Sequence, residues 1–406
     1  MSDLRLLAPI TAGQRDSLRA TLLRTVRLPV YVEAFARAGV DEEQIRADPL
    51  RSLARLPLFT PEMQAPLARQ SLEQRRHDLG GVELSSGTGG PPKRRILSEE
   101  DVALDAALLT RLLHLAGIRP DDRVVAMELA VTPLASAFLE GCERLGVRDS
   151  TAVAWRPGAD LTPLSRLAPS VLIAPPSLLE HLGEPPPGLR LVIYNGDRLS
   201  DQAEARLRLA GVGVCSLYGL TETSALGVGC STGGVHLAPE QALFELRPLD
   251  TDHELIVTTL GFSMPLVRYP SGDRVRSLPG GCPCGSARPW VEVLGRLGNR
   301  FSLFEVETCV DELRTFLFGA SDGSLQVVLD DAPQGRVQMT LRLPPTTGGR
   351  ERWRAMRRRL RVHPLLDYLM AAGLVRVQFR EQQPTAGRKV AVLLDRRRRG
   401  AGSDAG

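Results

Sequence analysis

The chain has 406 residues, enough for two or three domains of ~150 residues each. Hydrophobic residues make up 43% of it and charged residues 24%, which is typical of a globular protein and excludes a wholly disordered, collagenous or disulfide-stapled chain. No stretch approaches the ~20 apolar residues that span a membrane, and the apolar run at the N-terminus is too short for a signal peptide. We therefore expect a cytoplasmic protein with no membrane partner.

The positive charge is unevenly distributed along the chain. The formal net charge is +4, but residues 350–406 hold 15 basic and 5 acidic residues, a net of +10, so residues 1–349 carry −6. Of the 51 basic residues, only Lys93 and Lys389 are lysines. Lysine carries a compact charge and arginine a planar fork, so the two lysines of this arginine-rich chain are candidates for a distinct role.

Helices are predicted over residues 14–80 by apolar residues at three- and four-residue spacing, with an interruption at Pro29 and a helix end at Gly39. Residues 81–97 predict a strand, a Gly/Ser loop and a second strand. Ser98 is then expected to cap a long amphipathic helix through a capping box.

Further along, short apolar runs alternate with helical segments over residues 122–230, which predicts βαβ units and a mostly parallel sheet. Residues 235–296 contain strand-like runs at 253–260, 265–272 and 274–279, separated by Gly, Pro and Asp, and predict a β-rich subdomain. The predicted fold class is thus α/β. We expect a large N-terminal domain over 1–296, a small α+β domain over 297–399 and a disordered tail over 400–406.

Within the small domain, helices are predicted over residues 304–319 and 351–373. The strand-like runs of this domain lie at 325–331, 337–345, 375–379 and 389–395.

The most informative short segment is the loop SSGTGGPPK at residues 85–93. Its glycines let the backbone approach an anion closely, and the hydroxyls of Ser85, Ser86 and Thr88, together with exposed N–H groups, can bind phosphate oxygens. The G-x-x-x-x-G-K-[ST] spacing of a Walker A loop is absent. A Gly/Ser surface turn between two strands is the alternative interpretation.

This loop resembles the phosphate-binding loop of the adenylate-forming superfamily, which includes acyl-CoA synthetases, nonribosomal adenylation domains and luciferases. Three further segments follow in the family's order, within about 210 residues. YGLTET at 218–223 resembles the family's YGxTE motif, and RYPSGD at 268–273 resembles its RYxTGD motif. Gly295-Arg296 resembles the Gly-Arg pair that precedes its hinge. Other segments resemble the phenylacetate–CoA ligase branch, namely residues 28–60, IYNGDRLSDQ at 193–202 and CPCG at 282–285. The resemblance covers roughly residues 28–310 and is poor beyond them.

The resemblance implies an enzyme that joins a carboxylate to the α-phosphorus of ATP with Mg²⁺, expels pyrophosphate, and has a mobile C-terminal domain. The departing phosphates would then be held by Ser85, Ser86, Gly87, Thr88, Gly89, Gly90 and Lys93. Glu222 would ligate Mg²⁺, Thr221 would contact the α-phosphate or the metal, and Asp273 would accept the ribose hydroxyls. The remaining nucleotide contacts would come from Asn195, Gly196, Asp197, Tyr218, Gly219 and Arg296.

The family also uses a lysine near its C-terminus, which bridges the carboxylate and the α-phosphate during adenylation. Residues 384–389 match that region loosely, so that either Arg388 or Lys389 aligns with it. The scarcity of lysine in this chain favours Lys389 as the catalytic cation. In the phosphate-binding loop, Pro91 replaces the family's other lysine, which leaves one phosphate contact without its cation.

A metal site is predicted from three cysteines and a histidine. Cys282 and Cys284 form a close pair of soft ligands in a Gly/Pro turn, and Cys230 and His236 lie upstream. A Cys₃His set is a common structural zinc site, and proteins of the phenylacetate–CoA ligase branch often carry one. We therefore predict a closed Zn²⁺ site without a catalytic role, the alternative being reduced thiols beside a surface histidine.

The branch implies a small aromatic acid, aryl or arylacetic, in a pocket lined by small apolar segments near residues 130–136, 174–177 and 225–229. After Arg296 the family's acidic hinge pair is missing and the following loop is short, although Gly298 can still act as a hinge. These departures bear on thioester formation more than on adenylation, because that loop normally helps to form the pantetheine tunnel.

The acceptor of the acyl group would be CoA or an acyl carrier protein. The basic helix at residues 351–361 has two interpretations: a solvated face with Trp353, Met356 and Leu360 toward the core, or a surface for an anion such as the CoA 3′-phosphate or an acidic carrier protein. No recognised nucleic-acid module and no interleaved aromatic residues accompany the charge, so no nucleic-acid partner is expected.

Two other functions remain open. The same nucleotide site would serve a relative that activates another oxyanion, such as nitrite for the diazotisation of an aryl amine. A non-catalytic relative that retains nucleotide affinity is the second alternative.

Overall fold

The computed structural model describes most of the chain. The described residues are 4–84, 93–128, 133–155, 161–196, 199, 201–230, 232–249, 251–277, 282–297, 300–304, 306–318, 325–333, 336–343, 349–381 and 393–397. Among them, no helix is both long and apolar enough to cross a membrane.

The N-terminal segment is helical, as predicted. Thr11 and Asp41 each begin a helix through a capping box, and Pro29 occupies the first turn of another, where its missing N–H costs nothing. Gly39 ends that helix in the left-handed conformation. The helices are α1 (Ala12–Thr25), α2 (Pro29–Ala38), α3 (Glu42–Ala47), α4 (Pro49–Arg55) and α5 (Pro61–Gln74).

Next come β1 (Leu79–Leu84) and β2 (Arg94–Ser98), which pair in antiparallel fashion. The prediction of two strands is confirmed, and the loop between them lies outside the described residues. The predicted capping box is also confirmed: the peptide N–H of Asp101 donates to Oγ of Ser98 over 3.1 Å, at the start of α6 (Glu99–Ala116).

A parallel sheet follows, in the strand order β4-β3-β5-β6-β7. Successive residues of β3 face opposite sides: Val124 and Ala126 pack into one apolar cluster, Val125 and Met127 into another. Both faces are therefore covered, which is why the strands are continuous apolar runs. The elements are β3 (Arg123–Glu128), α7 (Pro133–Arg144), β4 (Asp149–Ala154), α8 (Thr162–Leu167), β5 (Val171–Ile173), α9 (Pro176–His181), β6 (Leu191–Asn195), α10 (Asp201–Leu209) and β7 (Gly213–Leu220).

The predicted β-rich region extends this sheet with antiparallel strands, so that the described residues form eleven strands of it. The two halves join where β9 pairs with β13, with Trp290 opposite His236 and Val291 opposite Val235. These strands are β8 (Ser224–Gly229), β9 (Val235–Leu237), β10 (Ala242–Pro248), β11 (His253–Thr259), β12 (Tyr269–Arg276) and β13 (Trp290–Arg296).

The separate strands predicted at 265–272 and 274–279 are wrong, since a single strand, β12, runs through both segments. Gly272, the last residue of the first predicted segment, adopts a φ of 74° inside the strand. The pairing register with β11 shifts at this point, between Glu254 and Ile256, instead of the chain turning back.

The small α+β unit has an apolar core of its own and a sheet of order β18-β17-β16-β19. Met356 and Leu360 are buried in that core and Trp353 packs against it, as expected for the inner face of the basic helix. The elements are β14 (Arg300–Leu303), β15 (Val306–Cys309), α11 (Val310–Phe318), β16 (Gln326–Ala332), β17 (Arg336–Leu343), α12 (Gly349–Leu360), α13 (Pro364–Ala371), β18 (Val375–Glu381) and β19 (Leu393–Asp395).

Both helices predicted in this unit need correction. The first half of the helix expected at 304–319 is the strand β15, because the β-branched residues Val306 and Thr308 favour a hairpin with β14. The helix expected at 351–373 is divided into α12 and α13. Pro364 cannot continue a helix but fits its first turn, so it starts α13 behind the cap His363.

A buried ion pair ties the start of β12 to β10. The Nη2 atom of Arg268 lies 2.9 Å from Oε2 of Glu245, and the two side chains are 8% and 4% exposed. The guanidinium also donates to the carbonyl of Leu56, 2.5 Å away. Arg268 therefore compensates a buried carboxylate and satisfies a loop carbonyl at once.

Replacing Arg268 by methionine should lower the free energy of unfolding by ~3–5 kcal/mol, because Glu245 would stay buried without a counter-charge. Urea denaturation followed by tryptophan fluorescence measures this. As the control, Arg37→Met removes an ion pair with Glu33 in which both side chains are 75% exposed, and should change stability by less than ~1 kcal/mol. Equal stability of the two variants would contradict a structural role for the buried pair.

Candidate active site

The predicted nucleotide residues gather where the parallel strands β6 and β7 end. Carboxyl ends of parallel strands meet at one edge of a sheet, which is the usual place for a ligand. Asn195, the last residue of β6, pairs opposite Leu217, so Tyr218 lies one step further along the same edge. The Oδ1 atom of Asn195 is buried and has no hydrogen-bond partner in the part of the chain described.

A tight turn after β7 carries the next predicted residues. A Cβ on Gly219 would lie 2.4 Å from the carbonyl oxygen of Ser224, so only glycine permits this close approach. The N–H of Thr223 closes the turn by donating to the carbonyl of Leu220 over 3.0 Å. Thr221 is exposed in this turn, where a ligand can reach it.

Glu222, in the same turn, is the centre of a compact cluster with Lys93 and Tyr269, which we call the Glu222 cluster. Nζ of Lys93 lies 2.5 Å from Oε1 of Glu222 and donates to the hydroxyl of Tyr269 over 2.9 Å. That hydroxyl donates in turn to the same Oε1 over 2.8 Å. The Glu222 side chain is only 8% exposed, whereas that of Lys93 is 35% exposed.

The Glu222 cluster keeps this carboxylate ionised. Burial raises the pKa of Glu222, but the Lys93 ammonium and the two hydrogen bonds outweigh it, so the pKa of Glu222 lies below its ordinary value. An anionic oxygen ligand is therefore available at neutral pH, which is the donor type that Mg²⁺ prefers.

A second tyrosine–carboxylate contact lies beside the first. The hydroxyl of Tyr218 donates to Oδ2 of Asp273 over 2.6 Å, and Asp273 is 4% exposed. In β13, Arg296 lies opposite Asp273. The structure thus brings together the predicted residues Asn195, Gly196, Tyr218, Gly219, Thr221, Glu222, Lys93 and Asp273 from β6, the β7 turn, the start of β2 and β12.

Tyr269 is the site residue that the motif comparison did not single out. It lies in the RYPSGD segment, four residues before Asp273. Residues four apart in a strand share a face, so the spacing carried a signal that Tyr269 belongs beside Asp273. The remaining predicted residues, Ser85, Ser86, Gly87, Thr88, Gly89, Gly90, Asp197, Arg388 and Lys389, lie outside the described residues.

The four predicted metal ligands also converge. Ligand atoms of Cys230, His236, Cys282 and Cys284 all lie within 4.8 Å of one another. Sγ of Cys230 is 3.6 Å from Sγ of Cys282, and Nε2 of His236 is 3.1 Å from Sγ of Cys284. The pairing of β9 with β13 explains the approach, because it sets His236 opposite Trp290, a few residues after the two cysteines of the turn.

The pKa shifts of two of these side chains, Cys282 and His236, favour metal binding. Burial opposes ionisation of Cys282, but hydrogen bonds with Thr232 and its neighbouring cysteines lower its pKa to about 7. Burial also lowers the pKa of His236 and keeps the imidazole neutral. For Cys284 the Ser286 peptide lowers the pKa, yet the hydrogen bond with Cys282 raises it further, so the net shift is upward. A thiolate and a neutral imidazole are the forms that bind zinc.

The chain is similar in sequence to three phenylacetate-coenzyme A ligases. It is 25% identical over 336 residues to that of Pseudomonas putida, with 74% of each chain covered. It is 25% identical to the ligase of Escherichia coli K12, and the match covers 68% of this chain and 70% of the ligase. It is 26% identical over 288 residues to the ligase of Thermus thermophilus, and this match covers 64% of this chain and 63% of the ligase. No protein-family model matches the chain.

Solved structures show the same fold. A 2-hydroxyisobutyryl-CoA ligase with 2-HIB-AMP and CoA, in its thioesterification state, superposes with a TM-score of 0.73 at 19% identity and covers 98% of this chain and 94% of its own. The amide bond synthetase McbA from Marinactinospora thermotolerans gives a TM-score of 0.54 at 15% identity, with 93% and 92% covered. The resemblance found in the sequence is thus confirmed: the chain is a homologue of phenylacetate–CoA ligases and has the fold of adenylate-forming acyl-CoA ligases.

Proposed function

We propose that the chain is an ATP- and Mg²⁺-dependent ligase that adenylates a small aromatic carboxylic acid, aryl or arylacetic, and transfers the acyl group to CoA. The observation that carries this proposal is the buried, ionised Glu222 beside Lys93 and next to the Tyr218–Asp273 contact. The names of the sequence relatives support an aromatic acid, and the structural neighbours bound to an acyl-AMP and CoA support the two-step reaction.

The described residues fit a nucleotide. The unpartnered Oδ1 of Asn195 is an acceptor at the sheet edge, suited to the amino group of adenine. Asp273 would accept the ribose hydroxyls, while Tyr218 holds its Oδ2 atom in place. The hydroxyls and peptide N–H groups of residues 85–90 would hold the departing β- and γ-phosphates. In this proposal, residues 85–90 and Lys93 together form the phosphate-binding part of the site.

Glu222 fits a hard divalent cation, being an ionised carboxylate at the edge of the site. When bound, Mg²⁺ neutralises charge on the phosphates during the displacement. The acid's carboxylate oxygen attacks the α-phosphorus, an acyl–phosphate bond forms, and the bond to pyrophosphate breaks. Lys389 would bridge the attacking carboxylate and the α-phosphate, and Thr221 would contact the α-phosphate, so both act by positioning and by charge stabilisation.

The acid itself would lie between small apolar segments. Ala174 is fully buried at the end of β5, and residues 225–229 form β8 on the other side of β6 and β7. Small side chains leave room for a flat ring, which is why we infer an aromatic guest. Transfer to the thiol of CoA then releases AMP, with the thioester formed as the acyl–phosphate bond breaks.

We also propose that Cys230, His236, Cys282 and Cys284 hold a structural Zn²⁺ ion. The soft donors and their mutual distances fit a closed tetrahedral site. All four ligands are protein atoms, so no position is left for a reacting water. The cytoplasm, the predicted compartment, would keep these thiols reduced and available to the metal.

ATP–pyrophosphate exchange with a panel of acids tests the main proposal. We expect exchange with aryl or arylacetic acids and, after CoA is added, a thioester detectable by mass spectrometry. Exchange with nitrite only would instead support oxyanion activation, and nucleotide binding without any exchange would support a non-catalytic relative. Aliphatic acids of similar size serve as the control, and equal rates with them would overturn the aromatic assignment.

Lys389→Ala should slow exchange by about 100-fold or more while ATP binding survives, because a charge that stabilises the transition state is lost. Arg388→Ala is the matched control and should retain most of the activity. Exchange rates and the Kd of ATP, measured on both variants, check this. If Arg388→Ala is the inactive variant, the assignment of the adenylation cation shifts by one residue.

Metal analysis of protein purified without added metal should find about one zinc per chain. Cys282→Ser should lose the metal and lower the thermal midpoint, because a closed site contributes directly to folding. Cys309→Ser, which lies outside the cluster, should retain zinc. A stoichiometry near zero in the unmodified protein would rule the site out.

A further inference from the structure

The buried carboxylate of Glu222 needs a positively charged partner. Glu222 is 8% exposed, and leaving such a charge unpaired is strongly destabilising. In the structure, the cation on Glu222 is Lys93, the last residue of the proposed phosphate-binding loop. In the proposed function Lys93 also contacts the phosphates, so a bound nucleotide and Glu222 would compete for the same ammonium group.

Tyr269 is anchored far more firmly than Lys93. It belongs to β12, is 6% exposed, and its ring packs against that of Phe59 with centroids 5.5 Å apart. The N–H of Phe59 donates to the carbonyl of Arg268 over 3.0 Å, so backbone contacts hold both rings. Lysine has a flexible four-carbon stem, and the side chain of Lys93 is about one-third exposed.

The two donors meet the same oxygen of Glu222. Lys93 and Tyr269 both hydrogen-bond to Oε1. Among the described residues, no other side chain donates a hydrogen bond to this carboxylate, and the peptide N–H of Glu222 is its remaining donor. When Lys93 departs, the Tyr269 hydroxyl keeps Oε1 where it is.

We propose that Tyr269 is a positioning residue for the divalent cation: it holds Oε1 of Glu222 while Lys93 leaves for the phosphates and Mg²⁺ takes its place. The inference rests on the proposed function in its use of Mg²⁺ and ATP. It assigns to Tyr269 a part in metal recognition, separate from its packing in the core, and it explains why two donors share one carboxylate oxygen.

Tyr269→Phe tests this by removing the hydroxyl and keeping the ring. The Kd of ATP is measured by equilibrium dialysis, once in excess EDTA and once in saturating Mg²⁺, without any acid substrate. The ratio of the two values is the gain in affinity that the metal gives. We expect Tyr269→Phe to reduce this gain by about tenfold or more, as for one hydrogen bond to a charged group, with the Kd in EDTA little changed.

Tyr218→Phe is the matched control, because it removes the hydroxyl that contacts Asp273 by the same chemical change. It should weaken ATP binding in EDTA and in Mg²⁺ alike, so that the gain is unchanged. Lys93→Met should also weaken both and should not lower the gain, because in the proposed complex Lys93 contacts phosphates and not Glu222.

The proposal is overturned if the gain in Tyr269→Phe stays within twofold of the unmodified protein, or if Tyr218→Phe or Lys93→Met lowers it equally. Absence of any metal gain in the unmodified protein would overturn it too. The assay needs no turnover, so its result is separate from that of pyrophosphate exchange. A gain that is lost in Tyr269→Phe, in a protein that exchanges with no acid, would uphold the role of Tyr269 and refute the proposed ligase activity.

Discussion

The candidate active site depends on one constraint: a buried carboxylate must keep compensating partners. Glu222 meets this requirement by drawing together three segments that are distant in sequence, the end of the phosphate-binding loop at Lys93, its own turn after β7, and Tyr269 in β12. Because each segment also carries a proposed nucleotide residue or leads to one, compensating this single charge would position much of the proposed site.

The sheet provides the frame for this arrangement. Its parallel half ends at the edge that bears Asn195 and Tyr218, and its antiparallel half supplies Tyr269 and Asp273 from β12. The two halves are joined at the short pairing of β9 with β13, which is also where the Cys/His cluster lies. A metal bound there would crosslink the chain at this junction. Strand β8 separates Cys230 from Glu222 along the chain, so the two proposed sites lie at opposite ends of that strand.

The choice of lysine in an arginine-rich chain also has a physical reason at position 93. A single ammonium group reaches both Oε1 of Glu222 and the hydroxyl of Tyr269, and its flexible stem allows it to leave. Elsewhere the chain uses arginine where a fixed, forked contact is wanted, as in the buried pair of Arg268 with Glu245. The chain thus pairs a carboxylate with a flexible-stemmed lysine at one site and with a forked arginine at another.

The sequence by itself determined the features that depend on interactions between residues close together in the chain. The capping boxes, the start of α2 at Pro29 and the parallel βαβ region were predictable, because caps, proline geometry and apolar runs act within a few residues. The grouping of three cysteines with a histidine was also predicted from the sequence. The order of the motifs identified the superfamily, since those segments each carry their own ligand chemistry.

Only the tertiary structure decided the rest. The strand β15, the unbroken β12 and the junction of β9 with β13 arise from pairing with partners elsewhere in the chain, which local propensity does not specify. The contact of Tyr269 could not be predicted for the same reason: its hydroxyl reaches Glu222 only because β12 packs beside the turn that holds Glu222. The two residues of this hydrogen bond are 47 positions apart in the sequence, so only the tertiary fold brings them together.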